Sequence, residues 1–104
     1  MNVSVNKENI LNALGSRQRE LNRLGVRRIG LFGSFVRGEH RGNSDIDFLV
    51  DFDREQKTLR NVISLGEYLE SLFGREIDLA TLQGLSKYIA PHILNEVQYA
   101  SFND

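Results

Sequence analysis

The stretch IGLFGSFVRGEHRGNSDIDFLVDF, residues 29–52, contains two short apolar runs separated by a polar segment. The first run, RRIGLF at residues 27–32, ends at Gly33 and predicts a buried strand. The second, DIDFLVDF at residues 45–52, alternates with a period of two. Ile46, Phe48, Val50 and Phe52 should point to one face, and Asp45, Asp47 and Asp51 should share the other with Leu49. The second strand therefore has one face suited to a core and one face that carries acid.

The elements around these strands predict a small layered fold. A helix is expected from Asn6, its N-cap, to Gly25, with Gly15 as a weak point in the middle. A second, amphipathic helix spans about 57–73, and REIDLATL at 75–82 forms a third strand that carries Asp78. Residues 86–99 predict a final helix, with Pro91 in its first turn or at a kink. Helices that alternate with short strands indicate an α/β (α+β) fold, a small mixed sheet with helices packed on it, in one domain over residues 1–104.

Composition limits the classes of protein to consider. The chain has 104 residues, 13 basic and 14 acidic, with a net charge of −1 and no cysteine. We expect no stable nucleic-acid binding, since that requires an excess of positive charge. No apolar stretch is long enough for a membrane span, so we expect a cytoplasmic protein without membrane contact. A local basic face remains an alternative to a solvated helix surface for the arginines of the first half, Arg17, Arg19, Arg23, Arg27, Arg28, Arg37 and Arg41.

Three aspartates occupy comparable places on the predicted strands. Asp45 and Asp47 stand about 6.6 Å apart on one face, and Asp78 comes from another strand. Carboxylates without cysteine favour magnesium or manganese, and magnesium needs few protein ligands because substrate phosphates complete its shell. A D-x-D pair is common, so this pattern alone does not establish a metal site. Asp51 and Asp53 extend the acidic run, and we expect both to face solvent.

The segment LFGSFVRG supplies a candidate phosphate site. A glycine at the end of a strand permits close backbone approach, and free N–H groups at the start of the following helix favour an anion. Ser34 can add its hydroxyl to a phosphate oxygen, and Arg37 can add charge one turn later. The alternative is an ordinary strand-to-helix turn with Ser34 as N-cap. No lysine follows in a Walker pattern, so any phosphate chemistry must depend on metal ions and on this turn.

Together these elements give Gly33-Ser34-x10-Asp45-x-Asp47, with Asp78 on a later strand. This pattern resembles the nucleotidyltransferase superfamily that shares the DNA polymerase beta catalytic fold. Over residues 29–99 the chain is most similar to the minimal nucleotidyltransferases (MNT), single-domain proteins that are commonly the antitoxin partners of HEPN-domain toxins.

The resemblance implies a role for each matching residue. Gly33 and Ser34 match the nucleotide-phosphate turn, Asp45 and Asp47 the metal-binding carboxylates, and Asp78 the third carboxylate, a metal ligand that helps to activate the incoming hydroxyl. Arg37, Gly38 and Ser44 match residues common around the motif, and we assign Arg37 and Ser44 to nucleotide binding. The implied reaction is Mg²⁺-dependent transfer of AMP from ATP to a tyrosine of a HEPN toxin, which silences its RNase activity; two ions are expected, and Mn²⁺ is an alternative.

Two alternatives stay open. An antitoxin can neutralise its partner by binding alone, through an apolar face on the last segment formed by Tyr88, Ile89, Ile93, Leu94, Val97 and Tyr99, although packing of that stripe on the sheet of the same domain is favoured. The chain can also be a transferase that acts on a small molecule such as an aminoglycoside, or on RNA. His40 and His92 are interpreted as residues of an exposed loop and an exposed helix.

Overall fold

The structure, a computed structural model, describes residues 5–102. These residues form four strands, β1 (Val26–Phe32), β2 (Ile46–Phe52), β3 (Ile77–Thr81) and β4 (Gln98–Tyr99). The helices are α1 (Lys7–Gly15), α2 (Gln18–Arg23), α3 (Ser34–Arg37), α4 (Leu59–Phe73) and α5 (Ala90–Glu96), with a 3₁₀ turn at Leu82–Gly84. The mixed α/β layer fold predicted from the sequence is confirmed. No helix within residues 5–102 has the length and apolar character needed to cross a membrane.

The sheet has the strand order β3-β2-β1-β4. β1 runs antiparallel to both β2 and β4, whereas β2 and β3 are parallel and are connected by the crossover helix α4. The register aligns Phe32 with Asp47 and Asp47 with Asp78. Since direct partners on neighbouring strands project from the same face, these three side chains form one row across the sheet.

The opposite face of the sheet carries the main core. Ile29 and Leu31 of β1 are partners of Val50 and Phe48 of β2, and all four side chains are buried. Helices α1, α2 and α4 cover this face with further buried residues, Ile10, Ala13, Leu14, Leu21, Leu65, Leu69 and Phe73. The predicted alternation of β2 is therefore confirmed for its apolar face.

The N-terminal helix is shorter than predicted. Asn6 is its N-cap and accepts a hydrogen bond from the Asn9 N–H at 2.8 Å, as expected, but the helix ends at Gly15 and a separate helix follows. At the break, the side chains of Ser16 and Arg17 both donate to the Ala13 carbonyl at 3.0 and 2.9 Å. These side-chain bonds and the low helix propensity of glycine account for the interruption.

The C-terminal segment also differs from the prediction of one helix over residues 86–99. Pro91 lies in the first turn of α5, as expected, but the helix ends at Glu96 and Gln98–Tyr99 pair with β1 instead. Gly30 permits this pairing, since a Cβ there would lie 2.6 Å from Cγ2 of Val97. Because Gly30 has no side chain, β4 can pair with β1 at this position.

Candidate active site

The side chains of Asp47 and Asp78 lie on the sheet face opposite the main core, near the start of β2 and the Gly33 turn. Asp47 is half-buried, whereas Asp78 and Asp45 are exposed. Asp45 stands one residue before β2, where the Ile46 N–H donates to the Glu76 carbonyl at 3.1 Å and so anchors the strand start. The structure brings Asp47 and Asp78 together in register, with Asp45 close enough to Asp47 to affect its ionisation.

The pKa of Asp47 is shifted by its position among these carboxylates. Burial, together with the negative charges of Asp78 and Asp45, raises the pKa of Asp47 to about 6. The positive charge of Arg37 opposes this shift and does not cancel it. A perturbed carboxylate flanked by two others is typical of a functional site, because clustered like charges are unfavourable unless a cation is bound.

Gly33 forms the turn between β1 and the short helix α3. Its φ of 79° and ψ of −152° lie where glycine is the natural choice. A Cβ at this position would overlap the Oδ2 and Cγ atoms of Asp47. Glycine is therefore required at this position for two reasons. It permits the backbone conformation, and it lets the Asp47 carboxylate lie against the turn. Ser34 is the first residue of α3. The first backbone hydrogen bond of this helix runs from the Val36 N–H to the Gly33 carbonyl, so the Ser34 N–H has no partner within the helix.

Glu96, on α5, is a polar contact of this turn that the sequence pattern does not reveal. Its Oε2 accepts the Gly33 N–H at 2.8 Å, and its Oε1 accepts a hydrogen bond from the Arg37 guanidinium at 2.6 Å. Burial alone would raise the pKa of Glu96, but the hydrogen bonds from Gly33 and Arg37 outweigh it and hold the pKa below its ordinary value. Arg37 also donates to Glu39 at 2.9 Å, so its guanidinium is held by two carboxylates.

Ser44 and Arg75 organise the loop that leads to Asp45. The Ser44 hydroxyl accepts the Arg41 N–H at 2.7 Å, and Arg75 donates to the carbonyls of Arg41 and Ser44 at 3.2 and 2.9 Å. The observed contacts of Ser44 are therefore within its own loop. Its predicted role in nucleotide binding stays a prediction.

His40 is not the exposed loop residue that we expected. Its ring stacks on Phe35 with the centroids 4.2 Å apart, and its Nδ1 is buried without a hydrogen-bond partner in the described part of the chain. The buried Phe35 attracts the imidazole into a stacked position at the surface of the core. His92 is exposed on α5, as expected.

Asp51 corrects a second expectation, since it is only 4% exposed and does not face solvent. Gln83 of the 3₁₀ turn donates to its Oδ1 at 2.9 Å, and the guanidinium groups of Arg27 and Arg28 lie 3.5 and 3.7 Å from its Oδ2. The 3₁₀ turn covers this end of the acidic face. Asp53, one residue past β2, is exposed as predicted.

A cleft of about 470 Å³ opens beside the two aligned aspartates. Asp47 and Asp78 are among its lining residues, and the rest of the lining is mostly apolar, with Phe32, Leu79, Leu85, Ile89 and Ile93. Two of these wall residues lie on or beside α5, the helix that carries Glu96. The site thus combines a glycine turn, clustered carboxylates and an apolar cleft.

The donor set fits magnesium in its chemistry. All candidate ligands are carboxylate oxygens. Burial is the main cause of the raised pKa of Asp47, and the negative charges of Asp78 and Asp45 add to it at the place where a cation would bind. Within residues 5–102 no three acidic or histidine side chains converge closely enough to enclose an ion by themselves. Magnesium does not require such a cage, because one or two carboxylates with substrate phosphates complete its coordination.

The Gly33–Ser34 turn lies next to the paired carboxylates, as the sequence motif predicted, and comparison with known proteins identifies the family. Residues 8–100 match the family model described as nucleotidyltransferase domain. The protein adenylyltransferase MntA of Thermococcus cleftensis is 49% identical over 92 residues, which cover 88% of this chain and 90% of that protein.

Solved structures show the same fold. A candidate minimal nucleotidyltransferase superposes with a TM-score of 0.76 at 31% identity, covering 91% of this chain and 96% of that one. The MNT antitoxin complex with the tri-AMPylated HEPN toxin of Shewanella oneidensis contains a chain that superposes with a TM-score of 0.56 at 18% identity, covering 83% and 70%. The chain belongs to the nucleotidyltransferase domain family, as its motif predicted, and is an enzyme of that class.

Proposed function

We propose that this chain transfers AMP from ATP to a tyrosine hydroxyl of a cognate HEPN-domain protein and so acts as an antitoxin. The observation that carries the proposal is the alignment of Asp47 with Asp78, with the Asp47 carboxylate against the Gly33 turn. Identity of 49% to a protein adenylyltransferase supports the choice of a protein acceptor. The AMPylated HEPN toxin bound to a structurally similar MNT chain supports the class of partner.

In the proposed reaction, the Gly33–Ser34 turn holds the phosphates of ATP. Ser34 supplies its hydroxyl and N–H, and Gly33 permits close approach of the phosphate, since its own N–H donates to Glu96. The acceptor oxygen attacks the α-phosphorus, a new P–O bond forms, the bond to the bridging oxygen breaks, and pyrophosphate leaves. Asp78 orients the hydroxyl and takes its proton. Magnesium or manganese, held by Asp45 and Asp47 with Asp78, would neutralise the charge of the triphosphate. Arg37 and Ser44 complete the proposed set of nucleotide-binding residues.

The cleft beside Asp78 supports an aromatic acceptor. Its apolar walls suit a phenol ring, whose hydroxyl would point toward the carboxylates. A small polar acceptor such as an aminoglycoside would gain little from these walls. Label transfer to such an acceptor in the absence of any protein partner would support this alternative instead.

Incubation with α-labelled ATP, Mg²⁺ and the cognate HEPN protein tests the proposal. The wild-type chain should label the partner, and mass spectrometry should place AMP on tyrosine. The double variant Asp45→Asn with Asp47→Asn should give no label. Asp53→Asn is the matched control, because it removes a nearby exposed carboxylate outside the site and should label normally. Label that persists in the double variant contradicts the assignment.

Neutralisation by binding alone is the second candidate, and exposed apolar side chains favour it. Tyr88 is 80% exposed, Ile89 51% and Leu94 47%, whereas Ile93, Val97 and Tyr99 are half-buried. The predicted apolar stripe is therefore divided between the sheet and solvent. If the double aspartate variant still silences the RNase activity of the partner completely, binding is sufficient and transfer is secondary.

A further inference from the structure

Glu96 connects the last helix of the chain to the proposed phosphate turn. One carboxylate oxygen accepts the Gly33 N–H at 2.8 Å, and the other accepts from Arg37 at 2.6 Å. The two contacts span 63 and 59 residues of sequence, so they join the C-terminal segment to the turn after β1 and to α3. The Glu96 side chain is 22% exposed, and the Arg37 side chain is 48% exposed.

We propose that Glu96 is a positioning residue for nucleotide binding, which acts by fixing the conformation of the Gly33–Ser34 turn. This inference rests on the proposed function, in which that turn binds phosphate. Glycine has more backbone freedom than other residues, so its conformation depends on the hydrogen bonds it makes. The Gly33 carbonyl accepts from the N–H groups of Val36 and Arg37, and the Gly33 N–H donates to Glu96. The Glu96 carboxylate restrains the turn with a charge-assisted hydrogen bond, which is stronger than a neutral one.

The restraint also fixes the relation between the turn and the carboxylates. Gly33 lies so close to Asp47 that a Cβ would overlap the Asp47 carboxylate. Any change in the Gly33 conformation would therefore alter the space between the phosphate turn and Asp47. Glu96 acts through Gly33 and, in this role, does not itself touch the nucleotide.

Glu39 provides a matched control within the chain. It accepts a hydrogen bond from the same guanidinium, from Arg37 Nε at 2.9 Å, and it removes the same charge when changed to glutamine. No hydrogen bond joins Glu39 to Gly33 among the described residues, and its side chain is 64% exposed. Comparison of Glu96 and Glu39 variants therefore separates the bond to the turn from the charge beside Arg37.

Binding of Mg²⁺–ATP to the full chain gives the first test. Glu96→Ala should weaken binding about tenfold, the effect of losing one hydrogen bond to a charged acceptor. Glu96→Gln, whose carbonyl can accept only one of the two bonds, should fall between alanine and wild type. Glu39→Gln should stay within about twofold of wild type.

Nuclear magnetic resonance of the Gly33 amide gives a second test that does not depend on nucleotide. Carbonyl-¹³C phenylalanine combined with ¹⁵N-glycine selects the two Phe-Gly pairs of the chain, at Gly33 and Gly74. Glu96→Ala should shift the Gly33 signal and accelerate its hydrogen exchange. The Gly74 amide, which donates to Glu70 within its own helix end, should be unchanged and thereby report that the variant is folded.

The outcomes are distinct. Wild-type binding with unchanged Glu96→Ala affinity overturns the positioning role alone, as does an equal loss in Glu39→Gln. Tighter binding by Glu96→Ala also overturns it, because the carboxylate would then compete with phosphate. A wild-type chain that binds no nucleotide overturns the proposed function, and the positioning role with it. Should Glu96→Ala fail to fold, Glu96→Gln decides by the same measurements.

Discussion

Asp47 of β2 and Asp78 of β3 are direct partners in the parallel pairing of the two strands, so the backbone register itself holds two carboxylates on one face of the sheet. Asp45 adds a third negative charge near Asp47. This arrangement lowers the free energy of unfolding, because like charges at short distance repel each other and favour protonation of one member. The cost of that repulsion, and its relief by a cation, can be measured without any substrate.

Removal of the Asp47 charge should stabilise the metal-free protein at neutral pH. The folded-state pKa of Asp47 is raised to about 6 from an ordinary value of 3.8, so the folded state binds the proton more tightly than the unfolded state. Stability from this group is complete below about pH 4 and is lost as the pH rises through about 6. Above pH 6, the free energy of unfolding of Asp47→Asn should therefore be about 1 kcal/mol higher than that of wild type. This value allows for solvent screening, because Asp47 is only half-buried.

Urea denaturation at several pH values measures this difference. The advantage of Asp47→Asn should shrink toward zero as the pH falls to about 4, where wild-type Asp47 is itself neutral. Asp53→Asn is the control, since Asp53 is exposed and outside the cluster. A stability difference between Asp47→Asn and wild type that does not vary with pH would show that the effect does not come from this ionisation.

Addition of Mg²⁺ should reverse the order of stability. An ion that binds the folded state raises its free energy of unfolding, and relief of the repulsion around Asp47 adds to the affinity. Thermal unfolding of wild type at pH 7–8 should therefore shift upward with Mg²⁺, and Asp47→Asn should shift much less. Equal shifts in both proteins would place the bound ion elsewhere.

Gly33→Ala should cost more stability than Gly38→Ala, although both glycines have positive φ, 79° and 71°. The left-handed backbone of Gly38, with ψ of 23°, costs an alanine roughly 1–2 kcal/mol. The Gly33 backbone, with ψ of −152°, lies in a region essentially restricted to glycine and is less favourable still for alanine. At Gly38 no atom lies within 4 Å of an added Cβ, whereas at Gly33 the Cβ overlaps the Asp47 carboxylate. Chemical denaturation of the two variants gives the comparison, and the Gly33→Ala penalty should be smaller in an Asp47→Ala background. An unchanged Gly33→Ala penalty in the Asp47→Ala background would mean that the carboxylate moves aside freely.

The parts of the site that the sequence predicted are those encoded by local pattern. The alternation of β2 places Asp47 opposite its core residues, and the glycine after β1 predicts the turn. These features depend on the period of a strand and on the φ of one residue, so they can be predicted from local sequence without knowledge of tertiary contacts. The pairing of Asp47 with Asp78 adds only the register of two predicted strands.

The parts that the sequence did not predict depend on contacts between distant segments. Glu96 lies 63 residues from Gly33, and a single glutamate in a helix has no pattern that indicates this contact. The two-residue strand β4 forms because Gly30 leaves room for Val97, which the helical spacing of the last segment conceals. The stacking of His40 on Phe35 likewise depends on how a loop folds back.

Asp51 shows the same limit and leads to a prediction that needs no ligand. Strand alternation placed it correctly on the acidic face, but its burial is set by the 3₁₀ turn, whose Gln83 donates to it at 2.9 Å. Asp51→Ala should lower the free energy of unfolding by about 1–3 kcal/mol, because it removes the hydrogen bond between Gln83 and a charged acceptor. Asp51→Asn should lose less, since its carbonyl can still accept from Gln83 and the lost ion pairs involve the exposed side chains of Arg27 and Arg28. Asp53→Ala, two residues away and exposed, should change stability by no more than about 0.5 kcal/mol. Urea denaturation of the three variants should give this order, and an Asp51→Ala loss no larger than that of Asp53→Ala would contradict the structural role of the buried carboxylate.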